Sequence, residues 1–122
     1  MPSRKVLSVG NNPELLWLRE AVLRSAGFDV MTSLNLEDGL ERIEGEDCGV
    51  LLMCYSLPLL SRKRLADTFR ANCPQGRIVT IMNEKGEPEF ADVVVYGVDG
   101  PEALIEVIHT ALSRTFNLPL QL

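Results

Sequence analysis

Apolar and polar positions fall into blocks along this chain. Short unbroken apolar runs alternate with longer stretches in which leucine, isoleucine or valine recurs at helical spacing. The runs are Val6 to Val9, Phe28 to Thr32 (with Asp29 before it settles), Cys48 to Cys54, Arg77 to Met82, and Asp92 to Tyr96. A short run without alternation predicts a strand buried on both faces. The third run stops abruptly at Tyr55-Ser56-Leu57-Pro58. In open α/β sheets ligand sites lie just beyond the carboxyl ends of such strands. Cys54 stands at that end, and its role is the main question of the sequence.

The stretches between the runs predict four helices. Asn12 is a good N-cap before Pro13, which fits a first helical position. The helix from Pro13 to about Ala26 carries Leu15, Leu18, Val22 and Ala26 as its expected buried stripe, with Gly27 ending it. Trp17 falls on the opposite side, either laid along a neighbouring aliphatic surface or exposed as an aromatic anchor for a partner. A second helix from about Leu36 to Glu44, capped by Asn35 or Ser33, turns Leu36, Leu40 and Ile43 inward. Its many acidic residues read as a solvated face. A third, capped by Ser61 and running to about Asn72, buries Leu65, Ala66 and Phe69. Arg62, Lys63, Arg64 and Arg70 lie outward as a solvated basic cluster or a contact for an acidic partner. The last helix starts at Pro101 and runs to about Arg114, with Leu104, Ile108, Ala111 and Leu112 inward and His109 solvated at the edge. Between Met82 and Asp92 the polar segment around Gly86 and Pro88 reads as a loop with at most one helical turn.

Five strands alternating with four helices imply a parallel sheet with helices on both faces and right-handed crossovers. The expected domain is residues 1–114. Residues 115–122 form a Pro-interrupted tail that keeps Leu118, Leu120 and Leu122. So apolar a tail packs back on the domain or against a second subunit.

Composition removes several functions. A net charge of -5 disfavours nonspecific nucleic-acid binding, which needs a basic surface. No apolar run approaches the roughly 20 residues of a membrane span, and Val6 to Val9 is too short for a signal-peptide core. The expected location is cytoplasmic. Cys48, Cys54 and Cys73 form no metal-ligand pattern with the single His109. Cys48 and Cys54 would lie roughly 20 Å apart on one strand, too far for a disulfide. Buried free thiols are expected, with no metal and no cofactor.

Four phrases carry a family resemblance: Val6 to Leu16; Ala26-Gly27-Phe28-Asp29-Val30; Tyr55-Ser56-Leu57-Pro58; and Asp99-Gly100-Pro101-Glu102-Ala103-Leu104. In this order and spacing the chain, from about residue 5 to 114, resembles the receiver domain of two-component response regulators. That resemblance implies a flavodoxin-like, doubly wound sheet with strand order 2-1-3-4-5. The segment from Asn83 to Ala91 is shorter than the family norm, which implies a fourth helix that is short or absent.

The family's chemistry uses an acidic pair that binds Mg²⁺, a phosphoacceptor aspartate, a Thr or Ser, and a Lys. Laid over this chain, those positions fall on Gly10 and Asn11, on Cys54, on Met82 (with Thr80 deeper on the same side), and at or next to Gly97. All five depart from the pattern. The resemblance therefore implies a degenerate pseudo-receiver, neither an enzyme nor phosphorylated, that binds a partner protein of a signalling pathway. Trp17, Tyr96, Leu118 and Leu120 are the candidate interface residues, and a homodimer is one form that interface could take. Two other functions compete. One is a thiol-based redox switch at Cys54. The other is a small-ligand pocket at the same strand ends, although there is no GxGxxG and no P-loop.

Overall fold

Val50 to Cys54 is the middle strand of the sheet, and all five of its residues are buried. The computed structural model describes residues 3–83 and 89–113. In chain order these form β1 (Lys5–Val9), α1 (Pro13–Ser25), β2 (Asp29–Ser33), α2 (Leu36–Gly45), β3 (Val50–Cys54), α3 (Leu59–Asn72), β4 (Arg77–Met82), β5 (Val93–Tyr96) and α4 (Gly100–Leu112). A single 3-10 turn, Gly97–Asp99, joins β5 to α4. The strands are parallel, in the order β2-β1-β3-β4-β5. Between β4 and β5 the described residues, Asn83 and 89–92, contain no helix. Residues 84–88 lie outside the described residues, as does the C-terminal tail with Leu118 and Leu120.

Alternation along the strands divides the core in two. Val6, Val50, Leu52, Val79, Ile81 and Val95 pack beneath α1 and α4, against Leu23, Leu104 and Ile108. Leu7, Val9, Leu51, Met53 and Ile78 pack on the other face, against Ile43 of α2 and Leu65 and Phe69 of α3. Both faces are covered, so the strands need no polar side, which is why they read as unbroken apolar runs. Each fully buried leucine adds roughly 2 kcal/mol of hydrophobic stabilisation.

Several expected local signals are present. Asn12 caps α1 through Leu15 N–H, and Asn35 caps α2 through Asp38 N–H. Gly27 takes φ +94 after α1, while Phe28 N–H reaches back to Leu23 O at 3.1 Å. The inward residues of α3 and α4 are those the spacing predicts. All three cysteines are free and buried, and His109 is exposed.

Two expectations fail. The buried face of α1 is Leu16 and Leu23, whereas Leu15 is 37% and Leu18 61% exposed and Ala26 lies at the surface. Leu15-Leu16-Trp17-Leu18 is apolar around a whole turn, so the 3.6-residue period admits two phases. The adopted phase buries two leucines seven residues apart. It leaves Trp17 exposed rather than laid along an aliphatic surface. The second failure is the Ser61 cap. Helix α3 begins two residues earlier, at Leu59, with Pro58 before it and no side-chain cap. Proline already fixes the backbone angle there, and Arg62 N–H closes the first turn on Pro58 O at 3.0 Å.

The basic cluster on α3 is largely paired. Arg62 meets Glu89, Lys63 meets Asp67, and Arg70 meets Asp92. The two exposed pairs, Lys63–Asp67 and Arg70–Asp92, are worth little each.

Candidate functional site at the carboxyl ends of the strands

The ends of β1 and β3 are adjacent because Val9 pairs with Met53. That register brings the loop after β1 against the loop after β3. A Cβ placed on Gly10 would stand 3.4 Å from the Cys54 Cβ and 3.2 Å from Leu16 Cδ2. Position 10 is therefore tight, and a side chain there would require Leu16 to give by a few tenths of an ångström.

Asn11 and Ser56 tie the two loops together. Asn11 Nδ2 donates to Ser56 O at 3.3 Å, and Ser56 Oγ donates to Asn11 Oδ1 at 2.8 Å. Ser56 Oγ also lies 3.1 Å from Cys54 Sγ. Tyr55 N–H bonds to Ile81 O at 2.9 Å and Leu57 N–H to Cys54 O at 3.1 Å, which fixes the turn that carries Ser56.

Cys54 is 2% exposed. Alternation from Leu52 places it on the α1–α4 side of the sheet, where the Arg19 guanidinium of α1 is near enough to favour its thiolate. Burial pushes its thiol up. The Ser56 hydroxyl, the Ser56 N–H and Arg19 together outweigh that and leave it below the ordinary thiol value. Cys48, at the opposite end of the sheet, goes the other way. Burial and then Cys73 raise it to about 12.

Register also places the remaining positions. Cys54 pairs with Ile81, and Met82 with Tyr96. Met82 is partly buried and brings no polar donor to the strand ends. Thr80 is fully buried on the α2–α3 face beside Met53, away from Cys54, and its hydroxyl has no hydrogen-bond partner among the described residues. A Cβ on Gly97 would meet only Met82 O at 3.8 Å and Ile81 Cγ2 at 3.9 Å, so position 97 is open. Gly10, Asn11 and Cys54 thus converge, while Met82 and Gly97 adjoin each other one strand further on.

Two residues with direct roles at Cys54 were not singled out by sequence reasoning. Ser56 was visible only as part of a phrase. Arg19 lies three residues after Leu16 and four before Leu23, so the correct phase of α1 would have placed it on the inner side. It supplies a cation that the departure at Gly97 seemed to remove.

The donor set does not fit Mg²⁺, a hard ion that takes oxygen ligands. Gly10 offers none, the Asn11 amide is engaged with Ser56, and Cys54 offers sulfur. Among the described residues no three His, Cys, Asp or Glu side chains gather as metal ligands. Nor is any described helix long and apolar enough to cross a membrane.

No family model and no curated protein matches the sequence. Solved structures do match the fold. A CheY-like response regulator receiver domain protein from Methanospirillum hungatei aligns at 20% identity with TM-score 0.78, over 89% of this chain and 93% of that one. The response regulator TrrA of Thermotoga maritima, in complex with Mg²⁺–BeF, aligns at 18% identity and TM-score 0.78, over 90% of this chain and 100% of that one. An adenylate cyclase structure from Rhodopirellula baltica aligns at 14% identity and TM-score 0.77, over 90% and 87%. At these identities the likeness concerns architecture, and the architecture of this chain is that of the CheY-like, flavodoxin-like receiver fold.

Proposed function

We propose that this chain is a receiver-like signalling domain of the response-regulator type that is not phosphorylated and acts by binding a partner protein. The observation that carries the reading is the paired hydrogen bond between Asn11 and Ser56. It joins the two loops at the strand ends through neutral groups. In the receiver pattern, carboxylates and a dication would meet there. With Cys54 in place of an aspartate, no carboxylate accepts a phosphoryl group. No catalytic step is assigned to the domain. Trp17, exposed on α1, and Tyr96, partly buried at the end of β5, are the candidate contacts for that partner. The same residues could serve a homodimer. A cytoplasmic location accords with this role.

Addition of Mg²⁺ and beryllium fluoride tests the reading, because TrrA was solved with that pair. The melting temperature of this chain is expected not to change. Stabilisation that requires both additives together would overturn it, since a ligand that binds only the native state raises apparent stability.

A thiol switch at Cys54 is the second reading. The Arg19 and Ser56 contacts favour it, because they lower the thiol below its ordinary value. Its 2% exposure opposes it, since the reagent must reach the sulfur. A Cys54 labelling rate no faster than that of a model thiol would dismiss it.

A further inference from the structure

Between α1 and the β5–α4 junction lies a cavity of about 270 Å³. Leu18 and Val22 form one wall, and Val95, Tyr96, Pro101 and Leu104 form the other. Its walls are mostly aliphatic. The cavity exists partly because Gly97 lines it without a side chain. Among the described residues only one charged residue lines it, Arg19, and no acidic side chain does. Arg19 takes part in none of the ion pairs among the described residues, and the Cys54 thiol that its guanidinium acts on carries no charge while protonated.

We propose that this groove binds a small apolar monocarboxylic acid, its chain lying against Leu18, Val22, Val95 and Leu104 and its carboxylate paired with Arg19. An aliphatic pocket with one or two fixed polar groups is the common form of a small-molecule site. A neutral ligand would gain the burial but leave the guanidinium without an anion. A small polar anion would gain the charge but leave the walls wet. An acyl carboxylate satisfies both. The inference does not depend on whether the domain is phosphorylated, so it stands or falls separately from the function proposed above.

Calorimetric titration of the full chain with octanoate, and separately with octanol, tests the assignment. Octanoate is expected to bind with one-to-one stoichiometry. Octanol should bind about tenfold or more weakly, the loss expected for a charge-assisted hydrogen bond. Arg19→Gln should remove that difference between the two ligands. Gly97→Leu, which fills open space, should abolish binding of both while its circular dichroism stays that of the parent. Equal affinity for octanol and octanoate would overturn the proposal. So would unchanged binding by a folded Gly97→Leu chain. So would the absence of octanoate binding; if an acidic, leucine-rich peptide binds instead, the site belongs to a protein partner. If Arg19→Gln does not fold, the two-ligand comparison and Gly97→Leu decide the matter.

Discussion

Asn11 and Ser56 hold each other by two hydrogen bonds, amide to carbonyl at 3.3 Å and hydroxyl to amide oxygen at 2.8 Å. They lie 45 residues apart in sequence, on the loops that follow β1 and β3. The Ser56 hydroxyl has one proton and two acceptors within reach, Asn11 Oδ1 and Cys54 Sγ. While the thiol is protonated it can donate to Ser56 Oγ and leave the hydroxyl proton on Asn11. Once the sulfur is ionised, the hydroxyl proton is drawn to it. The state of Cys54 is thereby coupled to the tie between the loops.

Asn11→Asp tests whether an amide is needed at that tie. The substitution removes the donor to Ser56 O and sets a carboxylate oxygen near a carbonyl oxygen. Urea unfolding at neutral pH should show a loss of about 1 kcal/mol, the ordinary value of one hydrogen bond. An Asn11→Asp chain as stable as the parent would mean that the tie contributes nothing.

Cys54 should ionise at lower pH than a model thiol, because Ser56 and Arg19 favour its thiolate against the opposing effect of burial. The pH dependence of labelling in Ser56→Ala and in Arg19→Gln reports each contribution. Both variants should move the labelling midpoint upward, and with both partners gone burial should dominate. Cys48, raised to about 12, should stay unlabelled in the native state throughout.

The phase of α1 has a direct energetic consequence. Leu16→Ala removes a side chain that is 1% exposed and should cost about 3 kcal/mol. Leu18→Ala acts on a side chain 61% exposed and should change stability by no more than about 0.5 kcal/mol. Comparable losses for the two would restore the phase expected from Leu15, Leu18 and Val22.

Acid sensitivity should be traceable to Glu20 and Asp38. The Thr32 hydroxyl, 2.6 Å away, is the main cause that holds Glu20 below the usual carboxylate range, and burial works against it. The Ser33 hydroxyl does the same for Asp38, also at 2.6 Å. Their folded values are depressed, so their stabilisation is fully present above the ordinary values, 4.5 for Glu20 and 3.8 for Asp38. It is lost as pH falls through the lower folded values. Thr32→Val should therefore lose stability near neutral pH and show a shallower decline in acid than the parent. Parallel acid limbs for the two proteins would refute the assignment.

How much the sequence revealed depended on whether local spacing was unique. Val50 to Cys54 has one reading because every position is apolar, and burial on both faces demands that. Leu104, Ile108, Ala111 and Leu112 mark one stripe with polar residues around it, and α4 follows it. Leu15 to Leu18 offers two stripes, and only the packing of Leu16 and Leu23 onto the sheet decides between them. That choice also hid Arg19, which the adopted phase places between Leu16 and Leu23, near enough to Cys54 to favour its thiolate. Ser56 was invisible as a functional residue for a different reason. Its partners, Asn11 and Cys54, are brought to it by the pairing of β1 with β3 and by a turn, neither of which is a local property. The groove beside Gly97 is a space between elements, and no residue type announces it.

The central claim is that the receiver fold persists here without carboxylate phosphorylation. Intact-mass measurement of the full chain after incubation with a small acyl phosphate and Mg²⁺ tests it most directly. An unchanged mass is expected in the parent and in Cys54→Ser. A gain of one phosphoryl group on the parent, located to a carboxylate near the ends of β1 or β3, would contradict it.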